Sequence, residues 1–274
     1  QGPFRGHRQG GGVRGAGGRR LRLRGDGRVA GRDRRGQGDA TRGYRVVSLH
    51  FDFRLHDNEA LLPMNVIEFK NVEKSFDGTP VLDGVSFSVR KGEIFAVVGP
   101  SGTGKSVTLK HIVGLILPDA GEVEVSTKRI GYLFQSGALL AWMTVAENVA
   151  LPLVETTTLS EDEIDKKVSA ALEAVGLLDA ADKYPSEISG GMQKRAGLAR
   201  AIVRDVDVVL YDEPTSGLDP VTSGSINRLI KELNRTRGIT SVVVTHDLAA
   251  ALKYADRIML LENGKAVEAK AEKG

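Results

Sequence analysis

The sequence predicts an α/β protein: a mostly parallel sheet covered by helices, entered through an antiparallel β segment and interrupted by a helical insertion at about residues 136–204. Three observations lead there. Residues 94–98, 208–211 and 241–244 are apolar, β-branched runs without polar alternation, as strands buried on both faces require. Segments of helical spacing separate them. A glycine-bearing loop at 99–106 joins the first run directly to the helical segment after it.

Two compositions meet near Met64, the first methionine of the chain. Residues 1–63 hold fourteen Arg, no Lys and six acidic residues, a net +8, together with fourteen of the 33 glycines. The rest of the chain holds 24 Lys and Arg against 29 acidic residues, a net −5. The overall +3 therefore describes neither part. A stretch so poor in apolar runs cannot offset its ordering entropy, so residues 1–63 are expected to be disordered.

Three readings of that stretch compete. Arg5-Gly6, Arg14-Gly15 and Arg24-Gly25 suit an arginine-glycine arm for RNA or anionic lipid. A cleaved targeting peptide is the second, although no continuous apolar h-region is visible. The third, which we favour, is translated upstream sequence, because the chain opens on Gln1 and the ordered pattern begins right after Met64.

The domain is accordingly placed at 64–274, long enough for one sizeable buried core. No run approaches 18 apolar residues, so no membrane span is expected. The chain has no cysteine, which excludes disulfides and thiolate metal sites and fits a cytoplasmic setting.

Taken in order, residues 66–72 alternate and residues 81–89 do so loosely, with Asp77-Gly78 as the turn between them. Residues 94–98 are a buried strand, and 106–116 have helical spacing with no breaker before Gly114. Ser160 and Glu163 form a capping box, followed by an apolar stripe of Ile164, Val168, Ala171, Leu172 and Val175. Asp219-Pro220 opens a helix reaching about Arg235. At the end, 257–261 and 265–268 flank Asn263-Gly264, a short-hairpin signal.

The chemistry concentrates at strand ends. Gly99, Pro100, Ser101, Gly102, Thr103, Gly104, Lys105 and Ser106 match G-x-x-x-x-G-K-[ST] between a strand and a helix. Successive backbone N–H groups and the helix N-terminus would cradle the phosphates of a nucleoside triphosphate. Lys105 would reach the β- and γ-phosphates, and Ser106 would ligate Mg²⁺.

Residues 208–211 lead into two adjacent carboxylates. Asp212 is placed to hold Mg²⁺, directly or through water, and Glu213 to polarise an attacking water. Gln135, after the run 130–134, could touch both the metal and that water. His246 ends another strand at the same edge, either as a cap or as a donor to the γ-phosphate. Ser189, Gly190 and Gly191 make a second anion-binding helix start, far along the chain from the first loop. One loop already serves the nucleotide, so this second site suits a nucleotide held by another chain, hence a dimer with two shared sites.

These segments in this order resemble the nucleotide-binding domain of ABC transporters over essentially 64–274. They are GPSGTGKS (99–106), LFQSG (133–137), ISGGM (188–192), VVLYDEP (208–214), SGLD (216–219) and THD (245–247). Where the family's signature usually reads LSGGQ, this chain has Ile188 and Met192. The resemblance implies a P-loop NTPase with a RecA-like core, ATP and Mg²⁺ as cofactors, Phe76 stacked on adenine, and Asp219 in a loop crossing a dimer interface.

A finer similarity, to the ATPase of Mla/Mce-type lipid transporters, rests on residues 102–123, 134–140 and 189–202. It implies phospholipid or another hydrophobic substrate, a permease, an MCE-domain partner, a second copy of the chain, and a place on the cytoplasmic face of the plasma membrane. No nucleic-acid partner is expected. Two other readings stay open: the ATPase of a polar-solute importer, and a soluble ABC ATPase acting on DNA or the ribosome. A kinase sharing the phosphate loop leaves the Ser189–Gly191 helix start unexplained.

Overall fold

The computed structural model of the chain describes residues 64–270; the reading of residues 1–63 as disordered lies outside the described residues, as does the last part of the 64–274 domain. The alternation after Met64 becomes a hairpin of two twelve-residue strands, β1 (Asn65–Phe76) and β2 (Thr79–Arg90). Asp77 and Gly78 connect them with φ of 50° and 77°, the double left-handed turn that matches strand twist. A third strand, β4 (Ala120–Val125), pairs antiparallel with β1. Nothing in our sequence reading anticipated it.

The larger sheet has six strands in the order β5-β6-β7-β3-β8-β9. The ranges are β3 (Ile94–Val98), β5 (Ile130–Leu133), β6 (Val208–Asp212), β7 (Thr240–Thr245), β8 (Arg257–Glu262) and β9 (Lys265–Lys270). All its pairings are parallel except β8 with β9, the hairpin expected around Asn263-Gly264.

Every residue of β3, β6 and β7 is buried, which accounts for runs with no polar alternation. The two-residue strand period still operates, because it sorts side chains between two cores. Ala96, Val209, Tyr211 and Val243 face the helices, while Phe95, Val97, Leu210 and Val244 face α1 (Lys105–Ile112) and the antiparallel sheet.

On the helical side lie α2 (Val145–Thr156), α3 (Glu161–Ala174), α4 (Gly190–Ile202), α5 (Pro220–Arg237) and α6 (Leu248–Tyr254). The backbone N–H of Ser160 donates to Glu163 at 2.9 Å, so the expected box starts α3. Val168, Ala171 and Leu172 bury the expected stripe. Asp219 caps α5, which runs two residues past Arg235 to Gly238 at φ 64°.

One boundary differs. α1 ends at Ile112, not Ile116, because the chain turns through Val113 into left-handed Gly114 (φ 75°), closing the helix four residues early.

Candidate functional site

The parallel strands deliver their C-terminal ends to one edge, and the chemistry collects there. β3 runs into the loop 99–104 and α1, β6 ends at Asp212, β7 is followed by His246, and β5 by Phe134 and Gln135. Lys105, Ser106, Gln135, Glu213 and His246 line one cleft of about 360 Å³ together with Ser101, Gly102 and Gly104. A larger cleft of about 680 Å³ opens between α5 and α6 and shares Ser216 and His246 with it. The smaller one is lined by residues of the 99–106 segment that matches G-x-x-x-x-G-K-[ST], so the candidate site is placed there.

Backbone geometry explains the glycines that matter most. Gly104 begins α1 at φ 95°, a conformation L side chains rarely adopt, and a Cβ there would press on Val81. A Cβ on Gly99 would overlap the carbonyl oxygen of Leu261 in the neighbouring strand β8. Its absence lets the loop start hard against the sheet.

Within the cleft, charges are paired at short range. Lys105, 6% exposed, donates to the carbonyl oxygens of Gly99 and Pro100, each at 2.8 Å. Its Nζ also lies 3.4 Å from Glu213 Oε1. His246 Nδ1 lies 2.9 Å from Glu213 Oε2. Ser106 Oγ donates to Asp212 Oδ1 at 2.8 Å, and the Tyr132 hydroxyl donates to Asp212 Oδ2 at 3.2 Å. Burial, reinforced by the Asp212 charge, raises the Tyr132 phenol well above its ordinary value, so it stays a donor.

Glu213 has φ 47°, left-handed backbone in a residue other than glycine. Its N–H donates to Val244 O at 3.0 Å, and its carbonyl accepts from Ser216 N at 3.1 Å. The third contact, from Lys194 Nζ to that carbonyl at 3.1 Å, comes from α4. Gln135 makes a loose 3.5 Å contact with Ser216 Oγ.

The donor set tests whether Mg²⁺ fits. Among the described residues no cluster of three or more His, Asp or Glu could cage a metal unaided. The Ser106 hydroxyl and the Asp212 carboxylate are hard oxygens already drawn together beside the phosphate loop. Such a pair suits Mg²⁺, which keeps waters and takes further oxygens from substrate phosphates.

The remaining expected residues lie outside this cleft. Phe76 ends β1, 41% exposed, with Lys74 Nζ 5.5 Å from its ring centroid. Ser189 caps α4 by accepting from Met192 N at 3.3 Å, and Gly191 sits so close to Thr222 that a Cβ would come within 2.5 Å of its Cγ2. Asp219 accepts from Val221 N and Thr222 N at 2.9 and 3.0 Å. The Ser189 helix start and the Asp219 loop therefore adjoin each other through Gly191 and Thr222.

Sequence reasoning missed Tyr132 and Lys194. The alternation in β5, with Gly131 and Leu133 buried, was the available signal for Tyr132. Lys194 had none, because a lysine on a helix reads as solvated.

Comparison with known proteins identifies the family. The profile of the family described as ABC transporter matches residues 82–216. The methionine import ATP-binding protein MetN of Carboxydothermus hydrogenoformans is 42% identical over 74% of this chain; the match spans 65% of that protein, about two thirds of its length. The intermembrane phospholipid transport system ATP-binding protein MlaF of Haemophilus influenzae is also 42% identical, over 74% of this chain and 83% of its own length. Among solved structures, the ATP-binding cassette MJ0796, a dimer in a post-hydrolysis state bound to ADP and Pi, superposes with a TM-score of 0.69 at 33% identity, covering 76% of this chain and all of that one. The strand-end chemistry, the α/β architecture and these likenesses converge: the chain belongs to the ABC transporter family, as one of its ATP-binding ATPases.

Proposed function

We propose that this chain is the motor subunit of an ABC transporter that moves phospholipid or another hydrophobic molecule through a partner permease. The observation that carries the hydrolytic part is the pairing of Glu213 with both Lys105 and His246 at the mouth of the phosphate loop. The lipid part rests on likeness to MlaF and on residues 102–123, 134–140 and 189–202.

In this reading Lys105 leaves the Gly99 and Pro100 carbonyls for the β- and γ-phosphates of ATP. The 99–104 backbone and the start of α1 bind the same phosphates. Ser106, Asp212 and Gln135 hold Mg²⁺, which when bound offsets phosphate charge. Glu213 accepts the proton of the attacking water, and His246 orients that carboxylate and donates toward the γ-phosphate. Phe76, exposed at the end of its strand, stacks on adenine.

Ser189, Gly190 and Gly191 serve the nucleotide of a second copy, with Asp219 crossing between the copies. Dimeric MJ0796 supports a dimer as the working unit. Trp142, 74% exposed in the insertion, offers an apolar anchor for a permease. The complex would sit on the cytoplasmic face of the plasma membrane, with an MCE-domain protein as lipid carrier.

A second reading, import of methionine or a similar polar solute, is favoured by the equal identity to MetN. Purification of the Glu213→Gln form from native membranes with ATP, followed by mass spectrometry, separates the two. A permease with an MCE-domain protein and enriched phospholipid supports lipid transport. A permease with a solute-binding protein and no lipid supports import. Ribosomes or DNA-repair factors without a permease would overturn both.

A further inference from the structure

Two turns that carry reacting groups have left-handed backbone at residues other than glycine. One is Glu213 itself, at φ 47°; the other follows Gln135, where Gly137 and Ala138 have φ of 75° and 49°. Such conformations are costly at a residue other than glycine and persist only where the surroundings over-determine them. Both are held by cationic side chains of the same helix, α4. Lys194 Nζ donates to the Glu213 carbonyl at 3.1 Å. Arg200 spans the other turn with its fork, donating to Ala138 O at 2.7 Å and Gly137 O at 2.8 Å.

Packing enforces the arrangement. A Cβ on Gly197 of α4 would sit 2.9 Å from Gly137 O and 3.0 Å from Leu133 Cδ1, and one on Gly137 would sit 2.9 Å from Gln193 O. Only glycine at both places lets the loop lie this close to the helix. Lys194 is 6% exposed, and its ammonium donates to a backbone oxygen instead of a carboxylate. Burial alone would drive its ammonium toward the neutral form, and the nearby Glu213 and Asp212 charges oppose that. An ammonium kept in such a place, with one carbonyl to serve, is an expensive way to fill space.

We propose that Lys194 and Arg200 are positioning residues for ATP hydrolysis, fixing the Glu213 peptide and the turn after Gln135 to one rigid helix. The inference rests on the reading of Glu213 as the group that activates water. Neither cation touches the nucleotide in this scheme. Their loss should leave ATP affinity alone and slow the chemical step, because a carboxylate displaced by about 1 Å costs up to roughly 100-fold in rate.

The test is steady-state ATPase kinetics of the full chain, with ATP affinity and thermal unfolding measured on the same samples. Lys194→Met should lower kcat roughly 10-fold or more with KM and ATP affinity within about twofold of wild type. Lys194→Arg should recover most of the rate, since it returns a cationic donor. Arg200→Lys, which keeps charge but loses the fork, should lower kcat several-fold and leave affinity unchanged. Should Lys194→Met fail to fold, Lys194→Gln gives the reading in its place.

An unchanged kcat in folded Lys194→Met or Lys194→Gln overturns the proposal. So does a loss that tracks unfolding and is not recovered by Lys194→Arg. Glu213→Gln, assayed alongside, keeps the two ideas separate. Wild-type turnover in that variant refutes the underlying assignment, whereas a dead Glu213→Gln beside a fully active Lys194→Met refutes the positioning role alone.

Discussion

Lys105 Nζ and Glu213 Oε1 stand 3.4 Å apart, a buried pair joining the phosphate loop to the end of β6. In the proposed reading the lysine would serve a triphosphate and the carboxylate a water, and here the two groups are paired with each other. On that reading ATP would draw the lysine away from the carboxylate, and the two residues are expected to fail differently when replaced.

Glu213→Gln keeps size and hydrogen-bonding capacity but removes the proton acceptor. Turnover should fall by about 10²–10⁴-fold while ATP still binds. Comparison of single-turnover hydrolysis with equilibrium nucleotide binding reads both. Rapid turnover would remove Glu213 from the role.

Lys105→Ala removes a charge-assisted donor to phosphate and should weaken ATP binding by roughly 10- to 100-fold. Adenosine, which lacks phosphates, should bind as before. Calorimetric titration with ATP and adenosine checks this. Equal affinity of wild type and variant for ATP would refute the phosphate role.

Gly131 in β5 lies against α4 so closely that a Cβ would overlap the carbonyl oxygen of Ala201, a backbone atom with little freedom to yield. Gly131→Ala should cost about 1–3 kcal/mol of stability, as overpacking of a well-filled interior does. Urea unfolding of wild type and variant measures it, and a change under a few tenths of a kcal/mol would show that β5 and α4 are loosely apposed.

His111 on α1 is fully buried, with Nδ1 2.7 Å from Val107 O and its ring edge-on to Phe69. Burial, helped by Lys74, lowers its pKa below the ordinary value, against the opposing pull of the Val107 carbonyl and Asp119. The folded protein therefore takes this proton less readily than the unfolded chain. The sign follows: stability from His111 is complete above about pH 6.5 and declines as pH falls below it. His111→Met should flatten the urea midpoint against pH between about 5 and 7. A wild-type midpoint that rises on acidification would contradict the assignment.

Particular residues show what a sequence reader can and cannot see. The β3–loop–α1 unit was legible because its glycines and apolar run belong to one local unit, and the Asp77-Gly78 and Asn263-Gly264 turns were legible for the same reason. β4 was not. Its segment AGEVEV has one fully buried side chain, Val123, and its pairing with β1 spans some fifty residues of sequence. α2 was hidden by Pro152 in its interior. Asn148 shows the limit most plainly: it is wholly buried, accepts from Leu140 N, and donates to the carbonyls of Leu140, Met143 and Thr144. No local pattern marks an asparagine that stitches together the turn carrying Trp142. The site residues at strand ends were legible by motif, while Tyr132, Lys194 and Arg200 act through tertiary contacts that spacing does not encode.

β3, β6 and β7 are buried at every residue and each has a strand on both sides. Their amides should open to hydrogen exchange only when the whole domain unfolds. Glu213 and His246 sit one residue beyond β6 and β7. The groups proposed to cleave ATP are thus expected to ride on the slowest clock of the domain, so that local breathing elsewhere need not loosen their geometry.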